Sequence, residues 1–128
     1  MYLLLDTHAL LWWVEDDPQL SLVARRLIAD EQNDCLVSLA TAWEMAIKAG
    51  LKKLELAVPV QRYFQQHLPA NDFRLLPLGL DHVTRVETLP LHHRDPFDRL
   101  LIAQALCEGL TLISGDSVFD HYGIKRFW

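Results

Sequence analysis

Short runs of consecutive apolar residues, each stopping abruptly at a polar one, limit this chain's fold more than any other feature. Tyr2-Leu3-Leu4-Leu5 ends at Asp6-Thr7-His8, Cys35-Leu36-Val37 at Ser38, and Leu110 to Ile113 at Ser114-Gly115-Asp116. Runs this short read as buried strands. Leu75-Leu76 and Ile124 to Phe127 are further strand-like pieces. Helix patterns lie between them. Ser21 caps a segment whose Val23, Ala24, Leu27 and Ile28 share one face. Ser38 opens a helix reaching Lys48 or Ala49, with Gly50 at the usual C′ place. Pro59 starts another, with Val60, Tyr63, Phe64 and His67 on one side, ended by Pro69-Ala70-Asn71-Asp72. Asp81 to Leu89 reads as a short helix stopped by Pro90. The strongest helix has Asp95 as N-cap, Pro96 at N1, apolar residues from Leu100 through Leu106, and Gly109 past its end. Strands alternating with amphipathic helices predict a parallel α/β sheet with helices on both faces. In such sheets ligands bind beyond the carboxyl ends of the strands.

A length of 128 residues suits one domain spanning 1–128. No stretch approaches the roughly 18 apolar residues of a membrane span. The start lacks a basic segment and meets an acid at Asp6, which argues against a signal peptide. Cys35 and Cys107 have no motif spacing and read as reduced thiols, so a cytoplasmic protein without membrane attachment is expected. The formal net charge is −5, unlike the basic footprint of most nucleic-acid binders. Either the partner is not a nucleic acid, or the negative charge is concentrated in a metal site whose ions offset part of it.

The positions of the acids bear on that choice. Asp6 directly follows the first strand, where an acid serves either as a helix cap or as a carboxylate at the sheet's ligand edge. Glu44 follows Thr41 at capping-box spacing. Ser38 is the better cap, however, and Glu44 then lies among Ala40, Ala42, Trp43, Ala46 and Ile47, where a carboxylate needs a partner or a metal. Asp95 is explained as an N-cap. Asp98 sits at N3, where an acid suits the helix dipole and also faces back past the helix start. Asp116 follows the Ser114-Gly115 turn, and Asp120 reads as a solvated acid. Several carboxylates gathered at one edge would repel one another without a divalent cation. Magnesium and manganese prefer such oxygen ligands.

These segments also carry a family resemblance. The chain resembles PIN-domain proteins, and among them the VapC-like toxins of bacterial toxin–antitoxin pairs. The resemblance lies in Leu4 to Trp12, Ser38 to Lys48, Arg94 to Ala105 and Leu112 to Asp116, four motifs in order along nearly the whole chain. It implies a three-layer α/β/α sandwich around a mainly parallel sheet. It also implies a metal-dependent endoribonuclease in which Asp6, Glu44, Asp98 and Asp116 are both catalytic and metal-binding, holding Mg2+ or Mn2+. Ser114 stands where the family commonly carries a hydroxyl, although Gly115 replaces a larger residue. Ser114, Asp95, Arg99 and Thr7 would orient the acids or touch substrate. RNA is the implied substrate, and a cognate antitoxin and a second copy of the chain are the implied partners. A catalytically inactive RNA- or protein-binding module of the same fold is the alternative.

Other residues have weaker assignments. Arg94, Arg99 and Lys48 would meet phosphates or pair with the acids, and His92-His93 belongs to a loop that could touch RNA. Trp12, Trp13 and Trp43 read as packing rather than base stacking. Part of Leu10 to Val14 reads as a contact surface for a partner. A phosphatase of the haloacid-dehalogenase type would need a second Asp two residues after Asp6, where His8 stands.

Overall fold

A computed structural model describes all 128 residues. The chain alternates β1 (Tyr2–Leu5), α1 (Thr7–Val14), α2 (Leu22–Ala29), β2 (Asp34–Ser38), α3 (Leu39–Gly50), α4 (Val60–Ala70), β3 (Arg74–Leu76), α5 (Leu80–Arg85), α6 (Pro96–Glu108), β4 (Thr111–Ile113) and β5 (Arg126–Phe127), with single 3-10 segments at Val86–Thr88 and Ser117–Tyr122. The five strands lie in the order β3-β2-β1-β4-β5. Every pairing is parallel, so the sheet expected to be mainly parallel is wholly so.

Alternation along β1 divides the core. Leu3 and Leu5 pack with Val37, Ile113, Met45 and Phe73 on one face, and Leu4 packs with Leu112, Leu101, Ile102 and Phe119 on the other. A sheet buried on both faces needs the continuous apolar runs seen in the sequence. From β1 the chain moves outward to β2 and β3, then crosses back over β1 to β4 on its other side. That reversal opens a crevice at the carboxyl ends of β1 and β4, the usual ligand position in such folds. The Asp6 N–H donates to Ile113 O at 3.1 Å and ties the two strand ends together there.

Local caps follow the sequence in most places. Ser21 and Asp95 accept backbone N–H groups as N-caps, and Gly109 closes α6 in the left-handed conformation at φ 66°. Three features differ. Thr7–Val14 is a helix, started by Asp6, whose Oδ1 accepts from Ala9 N–H. α3 runs through Gly50, and the left-handed residue is Lys52 (φ 59°), because Lys53 N–H reaches back to Lys48 O at 2.8 Å and closes the end there. α4 carries Pro69 inside its last turn.

The segment Leu10 to Val14, expected in part as a contact surface, is open only at its partly buried residues Trp12, Trp13 and Val14. Leu10 and Leu11 are buried, and Trp12, Trp13 and Val14 pack against the same core. An exposed apolar surface lies on α3, at Leu39, Trp43 and Ile47, beside Leu75 of β3. No helix is long and apolar enough to cross a membrane.

Candidate active site

The crevice at the carboxyl ends of β1 and β4 holds a cavity of about 150 Å³ bounded by Asp6, Glu44, Asp95, Asp98 and Asp116. Each acid arrives by a different element. Asp6 ends β1, Glu44 projects from the second turn of α3, Asp95 and Asp98 sit at the start of α6, and Asp116 follows β4. Asp6 and Glu44 are buried. Burial pushes the Asp6 carboxyl above its ordinary range, offset in part by hydrogen bonds from the Ser114 hydroxyl and Ala9 N–H. Asp98 is pushed from 3.8 to about 8, chiefly by burial and then by the negative charges of Asp95, Glu44, Asp6 and Asp116.

The surrounding residues orient these carboxylates. Thr7 Oγ1 donates to Glu44 Oε1 at 2.5 Å and Lys48 Nζ to Glu44 Oε2 at 2.7 Å, so Glu44 is fixed on both oxygens and takes no part in a capping box. The Thr41 hydroxyl, the other half of that spacing, is buried without a partner. Asp95 Oδ1 accepts from Phe97 and Asp98 N–H, so its carboxylate caps α6 and adds charge to the cavity wall. Ser114 is fully buried and its Oγ accepts from Asp116 N–H at 3.1 Å, linking the Asp116 turn to Asp6. Asp120 lies outside the cavity, where Arg126 Nε and Nη2 hold both of its oxygens and Arg126 Nη1 reaches Ser114 O.

Two residues behave differently from their sequence reading. The Arg99 guanidinium hydrogen-bonds no acid. It donates to the carbonyls of Val86, Leu89, Pro90 and His93 at 3.0–3.3 Å, and so holds the loop before α6. His93, read as a loop residue near RNA, lies inside the acidic cluster. Its Nδ1 accepts from Asp95 N–H, which leaves the proton on Nε2, and Nε2 lies 3.0 Å from Asp98 Oδ2 and 3.1 Å from Asp116 Oδ2. The sole sequence signal for it was its place two residues before the α6 cap.

These residues fit a divalent cation. Carboxylate oxygens dominate the donor set, as magnesium and manganese prefer. Burial, and then the charges of four nearby carboxylates, push the Asp98 carboxyl up to about 8, and a bound cation would offset that charge. The His93 N–H occupies the position between two of them that a positive charge would take. A second grouping, Asp81, His82 and Glu108, does not fit. His82 Nδ1 accepts from Gly79 N–H and Nε2 donates to Glu108 at 2.8 Å, so both ring nitrogens are satisfied.

The orienting bonds can be tested singly. Thr7→Val removes one of the two contacts that fix Glu44 and is expected to weaken Mn2+ binding by roughly 10- to 100-fold, measured by calorimetric titration. Unchanged affinity would show that Lys48 alone positions Glu44.

The sequence profile of the PIN domain family matches residues 3–125. The chain is 33% identical over 115 residues to ribonuclease VapC22 of Mycobacterium tuberculosis, covering 88% of this chain and 85% of that one. A chain in the crystal structure of VapBC2 from Rickettsia felis, bound to a DNA fragment from their promoter, superposes with a TM-score of 0.72 at 14% identity over 99% of this chain and 98% of that one. A chain of FitAcB from Neisseria gonorrhoeae does so with a TM-score of 0.68 at 18% identity, over 98% and 96%. The two structures share the fold.

Proposed function

Because the chain belongs to the PIN domain family, we propose that it is a divalent-metal-dependent endoribonuclease and the toxin of a toxin–antitoxin pair. The observation that carries this reading is the convergence of Asp6, Glu44, Asp98 and Asp116 on one small cavity at the sheet's reversal point. The ribonuclease relative supports the reaction class, and the VapBC2 and FitAcB structures support the fold on which such toxins are built.

In this reading Asp6, Glu44, Asp98 and Asp116 hold Mg2+ or Mn2+. The cation, when bound, activates water for attack on the RNA phosphodiester and offsets charge developing on the phosphoryl oxygens. The chain's own residues prepare the site. Asp98, whose carboxyl is held high by burial and its acidic neighbours, would bind the cation as a carboxylate and release its proton to solvent, and the His93 N–H lies between Asp98 and Asp116 where the cation would compete with it. Thr7 and Lys48 hold Glu44, Ser114 couples Asp6 to the Asp116 turn, and Asp95 keeps α6 in register with its N3 acid over the cavity. No base other than these carboxylates is required.

The antitoxin is proposed to cover the apolar groove of about 480 Å³ between α3 and α4, where Leu39, Trp43, Phe64 and Leu75 line an almost wholly apolar wall. A homodimer and a cytoplasmic location belong to the same reading.

The test is cleavage of a structured RNA pool by antitoxin-free protein. Cutting with Mg2+ or Mn2+ that disappears in EDTA and in Asp6→Ala is expected. Cutting that survives both would assign the activity to different chemistry. A folded chain that binds RNA without cutting it would be the inactive module.

A further inference from the structure

A second depression, of about 430 Å³, adjoins the acidic cavity and shares Asp6 and Asp116 with it. Its other walls are aromatic. The His8 ring stacks on Trp12 at 5.1 Å and 22°, and Trp12 meets Trp128 at 5.8 Å and 54°. His8 is exposed, and both indoles are only partly covered. Gly115 makes this arrangement possible. A Cβ at that position would lie 3.1 Å from Trp128 Cε2 and 3.2 Å from Nε1, so the indole packs closely on the turn carrying Asp116 and would have to give by a few tenths of an ångström to admit a side chain. Gly115 thus lets Trp128 lie close against the Asp116 turn. Gln19 closes the rim. Its side-chain amide is exposed and makes only a 3.5 Å contact with Asp17, which leaves donor and acceptor available.

We propose that this depression seats a nucleobase of single-stranded RNA next to the bond that is cut, with Trp12 and Trp128 as stacking faces and Gln19 reading the base edge. The proposal rests on the ribonuclease reading and adds its specificity site. Charge favours it. The chain carries a net −5, and Lys48, the cation lining the acidic cavity, is paired with Glu44. Lys48 is thus not free to meet phosphate, which favours an uncharged source of affinity. Stacking on aromatic faces supplies it without a basic groove. A volume of about 430 Å³ also falls within the ordinary range of small-ligand pockets.

The experiment has two readouts. Affinity for a short fluorescein-labelled single-stranded RNA of random sequence is measured in the Asp98→Asn chain, whose substituted residue lies outside the depression, with and without Trp128→Ala. Cut sites on the same RNA are sequenced for wild type, Trp128→Ala, Gln19→Ala and Gly115→Val. Loss of one stacking face is expected to weaken binding by roughly 5- to 150-fold. All three variants are expected to flatten the base preference beside the cut. His8→Ala, at an exposed position, provides a further change that leaves the core alone and is expected to act in the same direction. If wild type cuts RNA but Trp128→Ala binds within about twofold and keeps the base preference, the pocket is overturned and the ribonuclease reading stands. If Trp128→Ala instead impairs only capture of the antitoxin, the depression is a protein contact and the proposal fails. If wild type cuts no RNA, both fail.

Discussion

Asp98→Asn is expected to make the cation-free protein more stable at neutral pH while removing its RNA cleavage. The Asp98 carboxyl titrates near 8 instead of 3.8, because burial and four neighbouring carboxylates disfavour its charge. Between those values the folded chain keeps a proton that the unfolded chain releases. The unfolded state then binds fewer protons, so stability falls as pH rises through the window and levels off above about 8. Asparagine is uncharged throughout and loses this slope. In EDTA the wild-type melting temperature should fall from pH 5 to pH 8 and that of Asp98→Asn should fall less, with a gap of about 5 °C or more at the upper end. Saturating Mg2+ should reverse the order, since a cation at about 100 times its Kd stabilises the native state by about 2.7 kcal/mol. Cleavage should drop on the order of 10³-fold, as loss of several kcal/mol of charge stabilisation implies. Parallel pH profiles for the two proteins would place the uncompensated charge elsewhere.

Arg99→Ala is expected to destabilise the fold by about 2–4 kcal/mol, although the side chain touches no acid. Hydrogen bonds to a charged group contribute about 1.5–3 kcal/mol each and do not add fully when they share one donor group. Arg99 makes four, all to carbonyls of residues 86–93. The Tyr122 hydroxyl is the second clamp on this loop, accepting from His92 and His93 N–H and donating to Pro90 O. Together they fix the segment that presents His93 to Asp98 and Asp116. A melting temperature lower by roughly 10 °C and slower cleavage are expected. Arg99→Lys should recover less than half, because an ammonium lacks the planar fork that spans several carbonyls. A thermally unchanged Arg99→Ala would contradict this role and return Arg99 to the substrate side.

The sheet and the acids were legible in the sequence because both depend on local pattern. A strand buried on both faces must be an apolar run, and a carboxylate at its end is visible as Asp6 or Asp116. Asp95-Pro96 announced α6 because a cap and a preset φ act within a few residues. The features that stayed hidden depend on distant groups. α1 escaped because its apolar residues, Ala9 to Val14, point nearly all round and show little helical periodicity. α3 runs through Gly50 and its left-handed residue is Lys52, because the closing hydrogen bond forms from Lys53. Arg99 stood beside Asp98 in sequence and suggested a phosphate or an acid, whereas its partners are carbonyls on a loop that only the fold brings near. His93 reaches the cluster through that same loop. Trp128 packs closely on Gly115, thirteen positions earlier, a contact that only the fold creates.

Calorimetric titration of Mn2+ into the antitoxin-free chain tests most directly whether these acids hold a divalent cation. Measured at pH 7 in two buffers of different ionisation enthalpy, the titration also counts protons. Saturable binding with net proton release is predicted, since the Asp98 carboxyl is pushed up to about 8 and a cation binds the carboxylate. Both the binding and the release should be lost in Asp6→Ala. Binding without proton release that persists in Asp6→Ala, or no binding at millimolar Mn2+, would contradict the account.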